Sequence, residues 1–254
     1  MSLIRYRNTS IAFRQKLIRD SSKLVESLTM NVYEAINSRI SGRAFLDKPV
    51  DPEAVKRMLL AGGRAPSGTN TQPWKVHVLT GNPLKTFCDR VVQHRRDKGA
   101  EEDPQYQYYP RKWREPYNGR RRDVGWALYS ALGIERGEHE KMAAQHERNF
   151  RFFDAPVGLI FTIDDDMELG SWLDYGMFMQ SIMLAARGEG LHTCPQAAWI
   201  YHQGIVRQSL NLPDEQKVVC GMAIGYLDET DPSCSFRTPR MELDEFCTFL
   251  DDKL

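Results

Sequence analysis

Arg64-Ala65-Pro66-Ser67-Gly68-Thr69-Asn70-Thr71-Gln72-Pro73-Trp74 is a run of small, hydroxyl- and amide-bearing residues between two regular patterns. Upstream, Asp51 followed by Pro52 marks a helix start, because aspartate caps free N–H groups and proline's fixed φ suits the first helical position. That helix should run to about Gly62, with Val55, Met58, Leu59 and Ala61 on its apolar face. Downstream, Trp74, Val76 and Val78 alternate with Lys75 and His77 as a strand does, up to the Gly81-Asn82-Pro83 break. A second helix is expected from Leu84 to about Arg96. The loop between helix and strand can present backbone N–H groups and short side chains to a ligand without steric bulk. The same residue types also build ordinary connectors.

Residues 1–29 read as a helical or partly ordered arm, and Asn31 can cap a short helix over Val32–Ser38. Arg39-Ile40-Ser41-Gly42-Arg43 follows, with two planar guanidinium forks flanking a hydroxyl. Residues 99–123 are dense in tyrosine and tryptophan and interrupted by Pro104, Pro110 and Pro116. Helical patterns come next over Val124–Leu132 and Glu138–Asn149, then a buried strand over Val157–Ile163. Asp164-Asp165-Asp166 should cap the helix Met167–Ala186, which is apolar almost all round and belongs in a core or a subunit interface. Val218–Leu227 reads as a strand and Leu243–Leu250 as a terminal helix, after the arginine pair of Phe236-Arg237-Thr238-Pro239-Arg240. Helices outnumber strands, and the strands do not alternate regularly with them, so the class is α+β rather than doubly wound.

The 254 residues carry 34 lysines and arginines against 34 aspartates and glutamates. A zero net charge argues against coating nucleic acid or an anionic membrane, although it permits a local arginine pocket. The five cysteines form no CxxC motif, so neither a zinc site nor a redox dithiol is expected, and reduced thiols in a cytoplasmic protein are. No apolar run approaches the length of a membrane span, and the start lacks the apolar core of a signal peptide.

Taken in order, Arg39–Arg43, Ala65–Trp74, Gly190-Leu191-His192-Thr193-Cys194-Pro195-Gln196-Ala197-Ala198-Trp199 and Arg237–Arg240 resemble the FMN-dependent nitroreductase family. The resemblance covers about Asn31 to the C-terminus. It implies a central, mostly antiparallel sheet flanked by helices, in an intertwined homodimer with two FMN sites at the interface. It divides the chain into the arm 1–29 and a single domain 30–254, whose helical insertion 99–150 covers the active site. Arg39, Ser41 and Arg43 match the flavin motif, one arginine on the phosphate and the later one at the N1/O2 edge of the ring. Pro66, Ser67, Gly68 and Asn70 match the loop contributed by the partner subunit. Pro195, Gln196 and Ala197 match the stretch whose backbone reaches flavin N5 and O4. Gln196 stands where some relatives have glutamate, so its side chain carries no assigned role. Arg240 and Arg237 match the C-terminal phosphate clamp.

The implied reaction is ping-pong: NADH or NADPH delivers hydride to FMN, and an electron-poor acceptor such as a nitroaromatic then takes the reducing equivalents. No catalytic side chain and no metal is required. His139 and His146 read as surface residues, and Cys194 as a small buried thiol. Trp113 and Tyr117 are the candidate substrate contacts, and Arg120-Arg121-Arg122 could steer an anionic aromatic. Two alternatives stand beside this reading. A halotyrosine dehalogenase would use Glu102, Tyr106 and a lysine near position 127, where this chain has Ala127. A nucleic-acid-binding module would use the aromatic and basic stretch 106–122.

Overall fold

The computed structural model describes residues 30–98 and 104–250. The arm 1–29, and Glu102 with it, lie outside the described residues. Asn31 caps α1 (Val32–Ser38) in a reciprocal box with Glu34. The Asp51 carboxylate accepts from Glu53 N at the start of α2 (Pro52–Gly62). These are the two caps expected from the sequence, and both satisfy N–H groups that the helix itself cannot.

Four strands form one sheet in the order β1 (Lys75–Thr80), β2 (Val157–Asp164), β4 (Gln216–Gly225), β3 (His192–Gln196). Every neighbouring pair is antiparallel. The two central strands are buried on both faces. Leu159, Phe161 and Ile163 of β2, with Met222 and Ile224 of β4, pack against α2 and α6 (Leu169–Gly188). Ile160 and Ala223 face the other layer, α3 (Gly81–Lys98) with α7 (Gln203–Leu210) and the short 3-10 turns Arg148–Asp154 and Ala197–His202. Gly158 and Gly221 let aromatic rings lie directly on the sheet. A Cβ at Gly221 would meet Trp199 at 2.4 Å, and one at Gly158 would meet Phe152 at 2.6 Å. In sequence, α4 (Tyr117–Ala131) and α5 (His139–Glu147) stand between α3 and β2, and α4 has no buried residue.

The structure corrects several expectations. The helix after β1 begins at Gly81, whose φ of 55° turns the chain directly from strand into helix. On α2, Ala61 is exposed and Gly62 takes its place in the contact, with the Ile182 side chain 2.5 Å from where a Cβ would stand. The first inserted helix starts at Tyr117 rather than Val124. Glu168, not the aspartate run, stands at the N-cap of α6; Asp164 instead ends β2 and pairs with Lys75. Leu243–Leu250 forms only a 3-10 turn at Leu243–Glu245. β3 and α7 were not expected as regular elements.

Candidate functional site

Segment 39–43 leaves α1 with Arg39 already extended (φ −66°, ψ 126°). Ser41 bridges Thr193 in parallel, and Gly42 N donates to Thr193 O at 3.0 Å. The segment therefore lies along the free edge of β3, and alternation puts Arg39, Ser41 and Arg43 on one side of it. Arg39 and Arg43 both act on the buried Cys194 thiol, which burial nevertheless pushes up to about 11. Arg240 reaches the same place: burial, and then the neighbouring Arg240 charge, hold Arg39 below its usual value. Arg237 stands near the His192 imidazole, as does Arg187 from the last turn of α6.

Ion pairs of the described residues use other cations, such as Arg57 with Glu189 and Arg148 with Asp231. Arg39, Arg43, Arg187, Arg237 and Arg240 have no such partner among the described residues. Arg39, Arg43 and Arg187 are half-buried, while Arg237 and Arg240 are exposed. Like charges repel, the more so where burial lowers the local dielectric, so gathering them without an ion-paired carboxylate is unfavourable unless an anion is to be held. A phosphomonoester, with its charge near −2 and three acceptor oxygens, fits that donor set. The sequence reading placed Arg39, Arg43, Arg237 and Arg240 here. It assigned no role to Arg187 or His192. The signal available for Arg187 was a cation closing a long helix, which usually means only compensation of the helix dipole.

Pro195 lies on β3, opposite Met222, and Ala197 opens the following 3-10 turn. Between them Gln196 is 3% exposed. Its Nε2 donates to Asn149 O at 2.7 Å, and its Oε1 accepts from Trp199 Nε1 at 3.4 Å. The side chain is thus committed to the core, and only the backbone of 195–197 is free to meet a ligand.

Pro66, Ser67, Gly68 and Asn70 lie elsewhere. Thr69, Asn70 and Gln72 all hold left-handed backbone, with φ of 47°, 61° and 52°. Such conformations are costly for residues with a Cβ and persist where neighbours enforce them. Here Gly68 N donates to the buried Asp174 carboxylate at 3.1 Å, and Gln72 N to Ser67 Oγ at 3.0 Å. Asp174 is in the first half of α6 and Arg187 in its last turn, so the loop and the arginines are on the order of 20 Å apart along the helix. Within one chain the structure brings 39–43, 192–197 and 237–240 together, and leaves the 66–70 loop apart.

The aromatic segment is anchored at a β-bulge. Phe161 pairs with Cys220 and Thr162 with Val218, so Val219 is the extra residue. Tyr106 OH donates to Val219 O at 2.5 Å, Gln105 Oε1 accepts from Val218 N at 3.0 Å, and the Tyr106 ring packs on Trp172. This commits the Tyr106 hydroxyl that the dehalogenase alternative required. Trp113 packs on Tyr109, with Arg121 over its face at 5.0 Å; Tyr117 is exposed beneath Arg114 at 4.8 Å. Both candidate substrate rings therefore contact their own segment. α4 touches Pro232–Cys234, and Arg120 reaches Glu245 at 3.9 Å. His139 is exposed, while His146 packs its ring on Phe150.

Residues 36–226 match the model of the nitroreductase family. The chain belongs to the nitroreductase family. It is 43% identical over 217 residues to nitrobenzene nitroreductase of Ectopseudomonas oleovorans, covering 85% of this chain and 96% of that one. It is 38% identical over 223 residues to 4-nitrobenzoate reductase of Pseudomonas putida, covering 88% and 97%. Among solved structures it resembles the FMN and NADPH-dependent nitroreductase NfnB from sphigopyxis sp. strain HMH, with a TM-score of 0.83 and 38% identity over 87% of this chain and 100% of that one. The nitroreductase match takes in 39–43, 65–74 and β3 but ends before Arg237 and Arg240.

Proposed function

We propose that this nitroreductase is an FMN-dependent oxidoreductase that uses NADH or NADPH, in ping-pong order, to reduce nitroaromatic acceptors. The observation that carries the reading is the run of 39–43 along the edge of β3, with Arg240 acting on Arg39 there and neither arginine ion-paired among the described residues. Arg39, Arg237 and Arg240 would neutralise the FMN phosphate, and Ser41 adds a hydroxyl. Arg43, on the same side as Arg39, would place a positive charge against the ring, with the backbone of Pro195–Ala197 beside it. When bound, FMN supplies the hydride-transfer chemistry, and the chain supplies binding, orientation and charge. FMN and NADPH dependence in the related NfnB supports this cofactor pair.

The site is shared across a homodimer. Supporting this, Ser67–Asn70 is fixed at the far end of α6 from the arginines, and α6 carries an uncovered apolar stripe. Leu169 is 80% exposed, Leu173 74% and Met177 40%, four residues apart on one face. An apolar helix face of this kind is normally covered. The 99–150 insertion acts as the cover: Tyr106 ties it to Val219 of β4, and α4 touches Pro232–Cys234. Within 111–123 its exposed cations, Arg111, Lys112, Arg114, Arg120, Arg121 and Arg122, outnumber Glu115 and Asp123. A nitroarene bearing a carboxylate is therefore favoured over a neutral one, in line with the 4-nitrobenzoate reductase relative. Free thiols at all four buried cysteines suit the reducing cytoplasm.

The test is an anaerobic acceptor panel on purified yellow protein, with both NADH and NADPH and with 4-nitrobenzoate, nitrobenzene and iodotyrosine. Nitroarene-dependent NAD(P)H oxidation by protein that releases FMN on denaturation is expected. Colourless protein that cannot be reconstituted with FMN would overturn the reading.

A further inference from the structure

His192 is 8% exposed, faces Gly225 across the β3–β4 ladder, and its Nδ1 is buried with no hydrogen-bond partner among the described residues. A buried imidazole nitrogen without a partner is costly and calls for an explanation. Arg187 is fixed next to it from two sides: Nε donates to Ser38 Oγ at 3.1 Å and Nη1 to Leu191 O at 2.9 Å. Those bonds tie the end of α6 to the end of α1, where segment 39–43 begins. Dipole compensation accounts for a cation at this helix end, but not for a buried histidine beside it.

We propose that Arg187 and His192 extend the anion cradle of Arg39, Arg237 and Arg240, and that His192 takes up a proton from solvent when a phosphomonoester is held there. The proposal rests on the reading that this cradle holds the FMN phosphate. The charged groups acting on His192 are Arg187 from α6 and Arg237 from the C-terminal segment; Arg39 and Arg43 from the β3 edge act on the Cys194 thiol, two residues along the strand. Glu229 is the one acid acting on Arg187. Without an anion, burial first, then Arg187 and Arg237, push His192 down to about 4. A bound dianion reverses the sign of the local field, so the imidazolium becomes the favoured form. Between the phosphate-free value and the higher loaded value, binding takes up a proton, so affinity must weaken as pH rises through that window. The second ionisation of the phosphate itself, near 6, acts in the opposite sense, so the comparison is between wild type and a variant.

The experiment follows the His192 imidazole by ¹⁵N NMR in protein loaded with FMN, and in protein exchanged into riboflavin, which lacks the phosphate. His192 should titrate at least one pH unit higher with FMN, and inorganic phosphate added to the riboflavin form should move it the same way. Affinities provide the second measurement. H192N and R187Q should weaken FMN by at least about tenfold while changing riboflavin little, as expected for loss of a charge-assisted bond. H192N should also lose the proton-uptake part of the pH dependence. An unchanged His192 titration with and without phosphate would overturn the proposal, as would equal weakening of both flavins, which marks a merely structural role. R240A reports separately on the underlying reading. Unchanged flavin content there removes the flavin assignment, and a His192 that still responds to inorganic phosphate then upholds the anion site alone.

Discussion

Gln196 shows how a residue in a stretch proposed to meet the flavin can serve the fold alone. Its amide satisfies Asn149 O and the Trp199 indole N–H, two polar groups that the surrounding core would otherwise leave without partners. Q196A should therefore destabilise the protein by about 1–3 kcal/mol, the cost of stranding buried polar groups. Thermal or denaturant unfolding measures that loss, and the folded fraction should keep its FMN because only the backbone there is available to the ring. Loss of flavin at unchanged stability would show a direct side-chain role instead. The Gln196 identity was readable in the sequence; the direction of its side chain was not. That direction depends on Trp199 and Asn149, which reach it through tertiary packing.

At the level of elements, local chemistry separated what could be read from what could not. Asn31 with Glu34, and Asp51 with Pro52, define helix starts within three residues, so α1 and α2 were legible. The strands β1 and β2 showed their own periodicity or continuous apolar character. β3 did not, because Pro195 sits inside it and its pairing is supplied by β4. The turn Arg148–Asp154 carries Phe152 and Phe153 in left-handed backbone, which no turn propensity of phenylalanine announces. The Phe152 ring settles against Gly158 of β2, and Trp199 against Gly221 of β4. G221V should accordingly disrupt β4, since Trp199 atoms at 2.4 Å leave no room even for the first methyl carbon. A drop in melting temperature of several degrees, with loss of the β3 edge and its flavin, is the expected result; a variant as stable as wild type would contradict this packing.

For the whole molecule, the placement of charge and apolar surface matters more than the totals. The net charge of zero conceals a group of arginines with no ion-pair partner among the described residues, and the apolar helix α6 leaves Leu169, Leu173 and Met177 exposed. The family resemblance supplied the cradle members at 39–43 and 237–240. The sequence alone could not show that the 66–70 loop lies at the opposite end of α6, because that separation is a matter of tertiary geometry. L173E should turn a dimer into a 29.3 kDa monomer in light scattering, with FMN lost alongside. A monomer that keeps stoichiometric FMN would show that one chain builds the whole site.

The shared site is tested most directly by subunit complementation. R240A impairs the cradle and G68V the loop, and each homodimer should hold little FMN. Mixed dimers, purified with two different tags, contain one site built from both intact halves and one built from both altered halves. The account predicts that they regain about one FMN per dimer. Mixed dimers as empty of FMN as their parents would contradict it, since cradle and loop would then have to come from the same chain.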